Sequence, residues 1–137
     1  AIRSVCLAYC DLKYFWRLSM QRRIYLASPY TSPDAGLREA RYWAACSAAA
    51  LVMEKGDLAF SPIAHSHPLA KLHELPLDFD FWQNWCLSFL WHWATHFTIL
   101  DIPGWAESKG IAAEKALADS LGLPVIPWAE FLGQEDE

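Results

Sequence analysis

Apolar residues along the chain fall into short runs separated by longer amphipathic stretches. Arg23-Ile24-Tyr25-Leu26-Ala27 is one such run, stopping at Ser28-Pro29-Tyr30. It reads as a buried strand that feeds a loop. Thr31-Ser32-Pro33-Asp34 then offers helix caps and a helix-start proline. The Ala-, Leu-, Arg- and Glu-rich stretch from Ala35 to Lys55 predicts a helix, which Gly56 closes. Leu58-Ala59-Phe60-Ser61 predicts a second strand, and Pro62 to Pro76 a loop-rich segment with a helical turn near Ala70 to Glu74.

Between Asp80 and Trp93 the aromatics Trp82, Trp85, Phe89 and Trp93 step by three, four and four, one face of a helix. Phe97 to Leu100 predicts a third strand and Pro103-Gly104-Trp105 a turn. Ser108 to Leu121 predicts a helix ended by Gly122, Pro124-Val125-Ile126 a fourth strand, and Trp128 to Leu132 a short final helix. His92 and His96 straddle a helix-to-strand transition and read as structural. Strands that are apolar throughout, alternating with helices, indicate a parallel sheet covered on both faces. The expected fold is α/β, a three-layer sandwich with a parallel four- to five-stranded sheet, flavodoxin- or Rossmann-like. There is no internal repeat or low-complexity linker, so residues 20–132 read as a single domain before an acidic tail at 133–137.

Composition refines this outline. The chain has 137 residues, enough for one domain with one substantial core. A hydrophobic fraction of 54% and eight tryptophans point to a dense core, an oligomer interface, or both. A net charge of −5 argues against a nonspecific nucleic-acid binder but leaves room for a small anionic ligand. Cys6, Cys10, Cys46 and Cys86 form no CxxC pair and read as free thiols, consistent with a reducing, cytoplasmic location. Residues 1–19 mix charges among apolar residues and lack a signal-peptide pattern. Met20 is the expected natural start, with 1–19 an upstream extension or else an element that pads the domain. Phe81 to Leu100 carries no Asp, Glu, Lys or Arg over roughly the length of a membrane span. Gln83, Asn84, Ser88, His92, Thr95, His96 and Thr98 break it up, so it reads as a buried segment of a protein without a membrane partner.

In open parallel sheets, ligands bind beyond the C-terminal strand ends, near the switch point. Three segments must lie there: Ser28-Pro29-Tyr30, Ser61 to Pro68, and Asp101 to Gly110. In the third, Ser108 stands where a helix begins, and unpaired backbone N–H groups suit a phosphate or carboxylate. Gly110 permits close approach, and Glu114 lies six residues after Ser108, able to look back toward the strand ends. The same three residues would also serve as an N-cap, a tight-packing glycine and a solvated helix carboxylate. His65-Ser66-His67 places two histidines at alternate positions, fit for hydrogen bonding to a ligand or for loop structure. No third metal ligand is evident, so no metal is expected. Neither GxGxxG nor GxxxxGK[ST] follows the first strand. Tyr30 can stack on a planar base or pack against Trp105. Arg38 and Arg41 can reach an anion or an acidic neighbour, or face solvent.

Three motifs, taken in order, carry a resemblance: Tyr25-Leu26-Ala27-Ser28-Pro29-Tyr30, Phe60-Ser61-Pro62-Ile63-Ala64-His65-Ser66-His67-Pro68, and Gly104-Trp105-x-x-Ser108-x-Gly110-x-x-x-Glu114. Over about Gln21 to Trp128 the chain resembles a family of small bacterial proteins of unknown function. That family is similar to the nucleoside 2-deoxyribosyltransferase superfamily. The resemblance implies that Glu114 is a nucleophile attacking the anomeric carbon of a nucleoside or nucleotide. It implies that Ser108 contacts the sugar end or a 5′-phosphate, and that Ser28, Pro29, Tyr30, His65, Ser66, His67, Gly104, Trp105 and Gly110 help line the substrate site. The implied outcome is N-glycosidic cleavage or (deoxy)ribosyl transfer, with no cofactor and with a homodimer or higher homo-oligomer as the working form. One departure stands out. The superfamily usually has an Asp in the helix before the third strand, and the matching position here is near Cys86, with Asp78 and Asp80 close by. A second Asp that often precedes the third strand is replaced near Thr95. A noncatalytic nucleotide-binding or sensor protein is the alternative.

Overall fold

The computed structural model describes residues 21–133. The expected extension at 1–19, Met20, and the tail at 134–137 lie outside the described residues. Strand β1 (Arg23–Ala27) leads to helix α1 (Ala35–Glu54), β2 (Leu58–Phe60), α2 (Pro62–His73), α3 (Phe79–His92), β3 (His96–Ile99), α4 (Lys109–Ser120) and β4 (Val125–Ile126). A 3-10 helix at Trp128–Leu132 follows. The four strands are all parallel, in the order β2-β1-β3-β4. The chain therefore reverses direction of growth between β1 and β3, and ligand crevices open at such a switch point.

Alternation along β1 builds both sides of the core. Tyr25 and Ala27 face α3 and α4, packing with Cys86, Leu90, Phe97, Ile111 and Ala118. Ile24 and Leu26 face the other way, against Val52 and Ala48 of α1 and the C-terminal Phe131 and Trp128. Register pairs Tyr25 with Phe60 on one side and Phe97 on the other. The Tyr25 ring stacks on Phe97 at 5.9 Å. β4 is only two residues long and is fastened to β3 by the buried Thr98 hydroxyl, which donates to the Ile126 carbonyl at 2.7 Å.

Local signals explain most boundaries. Asp34 caps α1, accepting from the Gly36 and Leu37 backbone N–H groups. Asp78 caps α3, accepting from Phe81 N–H at 3.0 Å. The charge-poor stretch from Phe81 to Leu100 is divided between α3 and β3. Among the described residues no helix is long and apolar enough to cross a membrane.

The segment after β2 departs from expectation. Pro62 to His73 is a helix, not a loop with one turn. Ser61 caps it, accepting from Ala64 N–H at 3.1 Å, and Pro62 occupies the first turn, where no donor is needed. Pro68 lies inside and removes one backbone hydrogen bond. Burial of Ser66, His67 and Ala70 offsets that loss. Tertiary packing against α1 thus overrides the local proline signal.

Candidate functional site

The C-terminal strand ends and the helix starts beyond them enclose a cleft of about 580 Å3. A cleft of this size is ordinary for a small-molecule site. Ser28, Pro29 and Tyr30 enter it directly from β1, Pro62, Ile63 and Ser66 from the start of α2, and Gly104, Ser108, Gly110 and Glu114 from the β3–α4 connection and α4. Asp78, Phe79 and Asp80 border it from the start of α3, as do Trp82 and Cys86 further along.

Glu114 is a buried carboxylate in a core position. It shares the inward face of α4 with Ile111 and Ala118, and it is 6% exposed. Its Oε2 has no hydrogen-bond partner. Burial pushes its carboxyl up to about 8, and the neighbouring Tyr25 phenol offsets part of that rise. Burial also pushes the Cys86 thiol up to about 12, with the nearby Glu114 charge adding to it. The Tyr25 phenol is raised for the same two reasons, burial first. At neutral pH all three groups are therefore predominantly uncharged. The Ser28 hydroxyl, 7% exposed, is likewise without a partner. Arg41 Nε, on another residue bordering the cleft, is also without one, and buried polar atoms are normally satisfied, so three unpartnered ones around one cleft point to a polar ligand.

The start of α4 supplies donors. Ser108 caps the helix, accepting from Ile111 N–H at 3.2 Å. Its own proton remains free to donate, beside the unpaired N–H groups of the first turn and the Lys109 side chain. Arg41 spans the mouth from α1. Its guanidinium donates to the Thr31 carbonyl at 3.0 Å and, more weakly, to those of Tyr30 and Pro103 at 3.4 Å. It thereby ties the loop after β1 to the loop after β3. Gly104 is a glycine for two reasons: its φ is +97°, and a Cβ there would stand 2.3 Å from Arg41 Nη2.

Most residues singled out in the sequence border the cleft, but three do not. The His65 ring stacks on Trp85 of α3 at 4.6 Å and 10°. His67 sits behind Tyr30, between the Tyr30 hydroxyl and Glu39. Trp105 is 40% exposed in the turn after β3. Alternate positions on a strand or loop would present both histidines to one side; on a helix they diverge by about 200°. Gly110 borders the cleft, yet its missing side chain makes room for Phe79, whose Cδ2 would stand 3.2 Å from a Cβ. Tyr30 meets His67 edge-on at 5.5 Å. Arg38 donates to the Ser32 carbonyl and stands beside the Tyr30 phenol, while Arg41 itself borders the cleft. Tyr25 lies beside Glu114 without belonging to the expected site; its signal is a polar-tipped side chain in the middle of an otherwise apolar strand. Among the described residues no group of three or more His, Cys, Asp or Glu side chains is arranged to hold a metal ion.

Comparison with protein families matches residues 22–130 to a domain of unknown function, DUF1937, and the chain belongs to that family. A comparison with curated proteins finds no match.

Proposed function

We propose that the cleft binds a nucleoside or nucleoside monophosphate and that Glu114 attacks the anomeric carbon to break the N-glycosidic bond. The observation that carries this reading is Glu114 itself: a buried carboxyl with one unpartnered oxygen, bordering a largely apolar cleft at the β1–β3 switch point. The three motifs resembling the nucleoside 2-deoxyribosyltransferase superfamily supply the substrate class. Glycosidic cleavage passes through an oxocarbenium-like state, which an ionised carboxylate traps as a glycosyl-enzyme. Water then completes hydrolysis, and a second base completes transfer. Ser108 and the first turn of α4 fit the sugar end or a 5′-phosphate, and the loop after β1 fits the base and ribose.

Incubation with a panel of nucleosides and 5′-monophosphates, following free base by chromatography, tests the proposal. Wild type should release base and Glu114→Ala should not. Equal, background release from both rules out this route. A second reading, ligand binding without turnover, is favoured by Cys86 standing where a carboxylate is expected and by a Glu114 that is largely protonated at neutral pH. Thermal stabilisation by a nucleotide with no base released supports it. We also infer a homo-oligomer, because Trp43, Phe81 and Trp91 are large apolar side chains left exposed. A monomer by light scattering counts against that.

A further inference from the structure

Tyr30 borders the cleft and heads a hydrogen-bonded chain that leads away from it. Its hydroxyl lies 2.6 Å from His67 Nδ1, and His67 Nε2 lies 2.7 Å from Glu39 Oε2. Lys71 Nζ reaches the same carboxylate oxygen at 3.2 Å. His67 is buried, and its ring stacks on Tyr42 at 4.4 Å. Glu39 is partly exposed, so the chain runs from the cleft to solvent. The hydrogen bond from His67, with help from Lys71, holds the Glu39 carboxyl below its usual value.

The chemistry of these groups fixes where protons sit. An ionised Glu39 can only accept, so His67 Nε2 carries a hydrogen. With a neutral ring, Nδ1 accepts from the Tyr30 hydroxyl. With a protonated ring, Nδ1–H donates to the phenol oxygen and the Tyr30 O–H is released toward the cleft.

We propose that Tyr30 donates a proton to the departing base and is reprotonated by His67, which Glu39 orients. This rests on the glycosidic reading above and answers its main gap, the missing acid near Cys86. As the C1′–N bond breaks, its electron pair goes to the base nitrogen, which takes the Tyr30 proton. Tyr30 takes the Nδ1 proton of protonated His67, which becomes neutral, keeps its Nε2–H on Glu39, and regains the Nδ1 proton through Tyr30 from the water that hydrolyses the glycosyl-enzyme. The Glu114 carboxylate forms the new bond to C1′. His67 and Glu39 never touch substrate; His67 recharges Tyr30, and Glu39 orients His67.

The test compares leaving groups. A nucleoside monophosphate needs a proton on its base, whereas the matching 4-nitrophenyl glycoside releases a stable anion without one. Tyr30→Phe should slow base release on the order of 100-fold and leave nitrophenolate release within roughly threefold of wild type. His67→Gln and Glu39→Gln should show the same selectivity with smaller losses. Equal slowing on both substrates overturns the proposal, since it marks a positional role only. So does a selective loss in Asp80→Asn with none in Tyr30→Phe, because Asp80 also borders the cleft. If wild type cleaves neither substrate, the glycosidic reading falls and the relay with it; if wild type is active and Tyr30→Phe matches it, only the relay falls.

Discussion

Replacing Glu114 by Gln should convert a pH-sensitive stability into a flatter one. The carboxyl titrates near 4.5 in an unfolded chain and is pushed up to about 8 by burial in the folded one. Between those values the folded state holds a proton that the unfolded state has lost, so stability must fall as pH rises through the window. The full penalty, developed above pH 8, is about 5 kcal/mol at roughly 1.4 kcal/mol per pH unit. Between pH 5 and pH 9 the change is about 4 kcal/mol, a large part of the 5–15 kcal/mol that holds a typical domain together. Glutamine cannot titrate, and every other ionisable group is shared by the two proteins. The stability of Glu114→Gln relative to wild type should therefore rise by about 4 kcal/mol from pH 5 to pH 9, on top of a constant offset from the amide. Urea unfolding of both proteins at unit pH intervals measures this. Curves that stay parallel across the range would refute the reasoning, because they would mean that the carboxyl is hydrated or partnered in the folded state.

The same ionisation should govern rate: if ionised Glu114 is the nucleophile, kcat/KM on the 4-nitrophenyl glycoside, whose leaving group needs no proton, should climb about tenfold per pH unit below pH 8 and level off above it. A flat profile from pH 6 to pH 9 counts against that role. Gly104→Ala should destabilise the protein by about 1–3 kcal/mol, through a left-handed backbone and a Cβ driven into Arg41, and should weaken nucleotide binding as Arg41 shifts. Thermal melts and calorimetric titration read both effects, and a variant indistinguishable from wild type in each would contradict them. Thr98→Val should cost about 1–3 kcal/mol by leaving the Ile126 carbonyl unpaired, and hydrogen exchange should show β4 loosening before β1.

The elements of the fold were legible wherever one local signal dominated. Strand β1, the capped helix α1 and helix α4 lie where apolar runs and caps put them, because those signals need no distant partner. Helix α2 was not legible. Its prolines and histidines read as loop, and what holds it is burial of His67 and Ala70, with His67 packed on Tyr42 and Glu39 of α1. The aromatic face of α3 was legible as a helix but not as a core. The fully buried positions are Cys86 and Leu90, while Trp85 is 42% exposed and stacks on His65. Large rings flank the seam and smaller side chains fill it.

The site divides along the same line. Position along the strand ends could be read from sequence, which is why Ser28, Tyr30, Ser108 and Glu114 share one cleft. Orientation could not, since His65 and His67 depend on a helix that the prolines concealed. Glu114 carried a stronger signal than its distance from Ser108. It occupies the inward stripe of α4 with Ile111 and Ala118, where the helical period calls for an apolar residue. A carboxyl there lowers stability at neutral and alkaline pH, as the titration above requires. Local rules broken at such expense are expected at functional positions. Tyr25 and Cys86 stand beside it, and their raised values leave both neutral when Glu114 ionises. The new charge thus has no cation supplied by that cluster to meet it. A ligand that develops positive charge at the cleft would meet that need, and that is the electrostatic case for an oxocarbenium-like state over a neutral one.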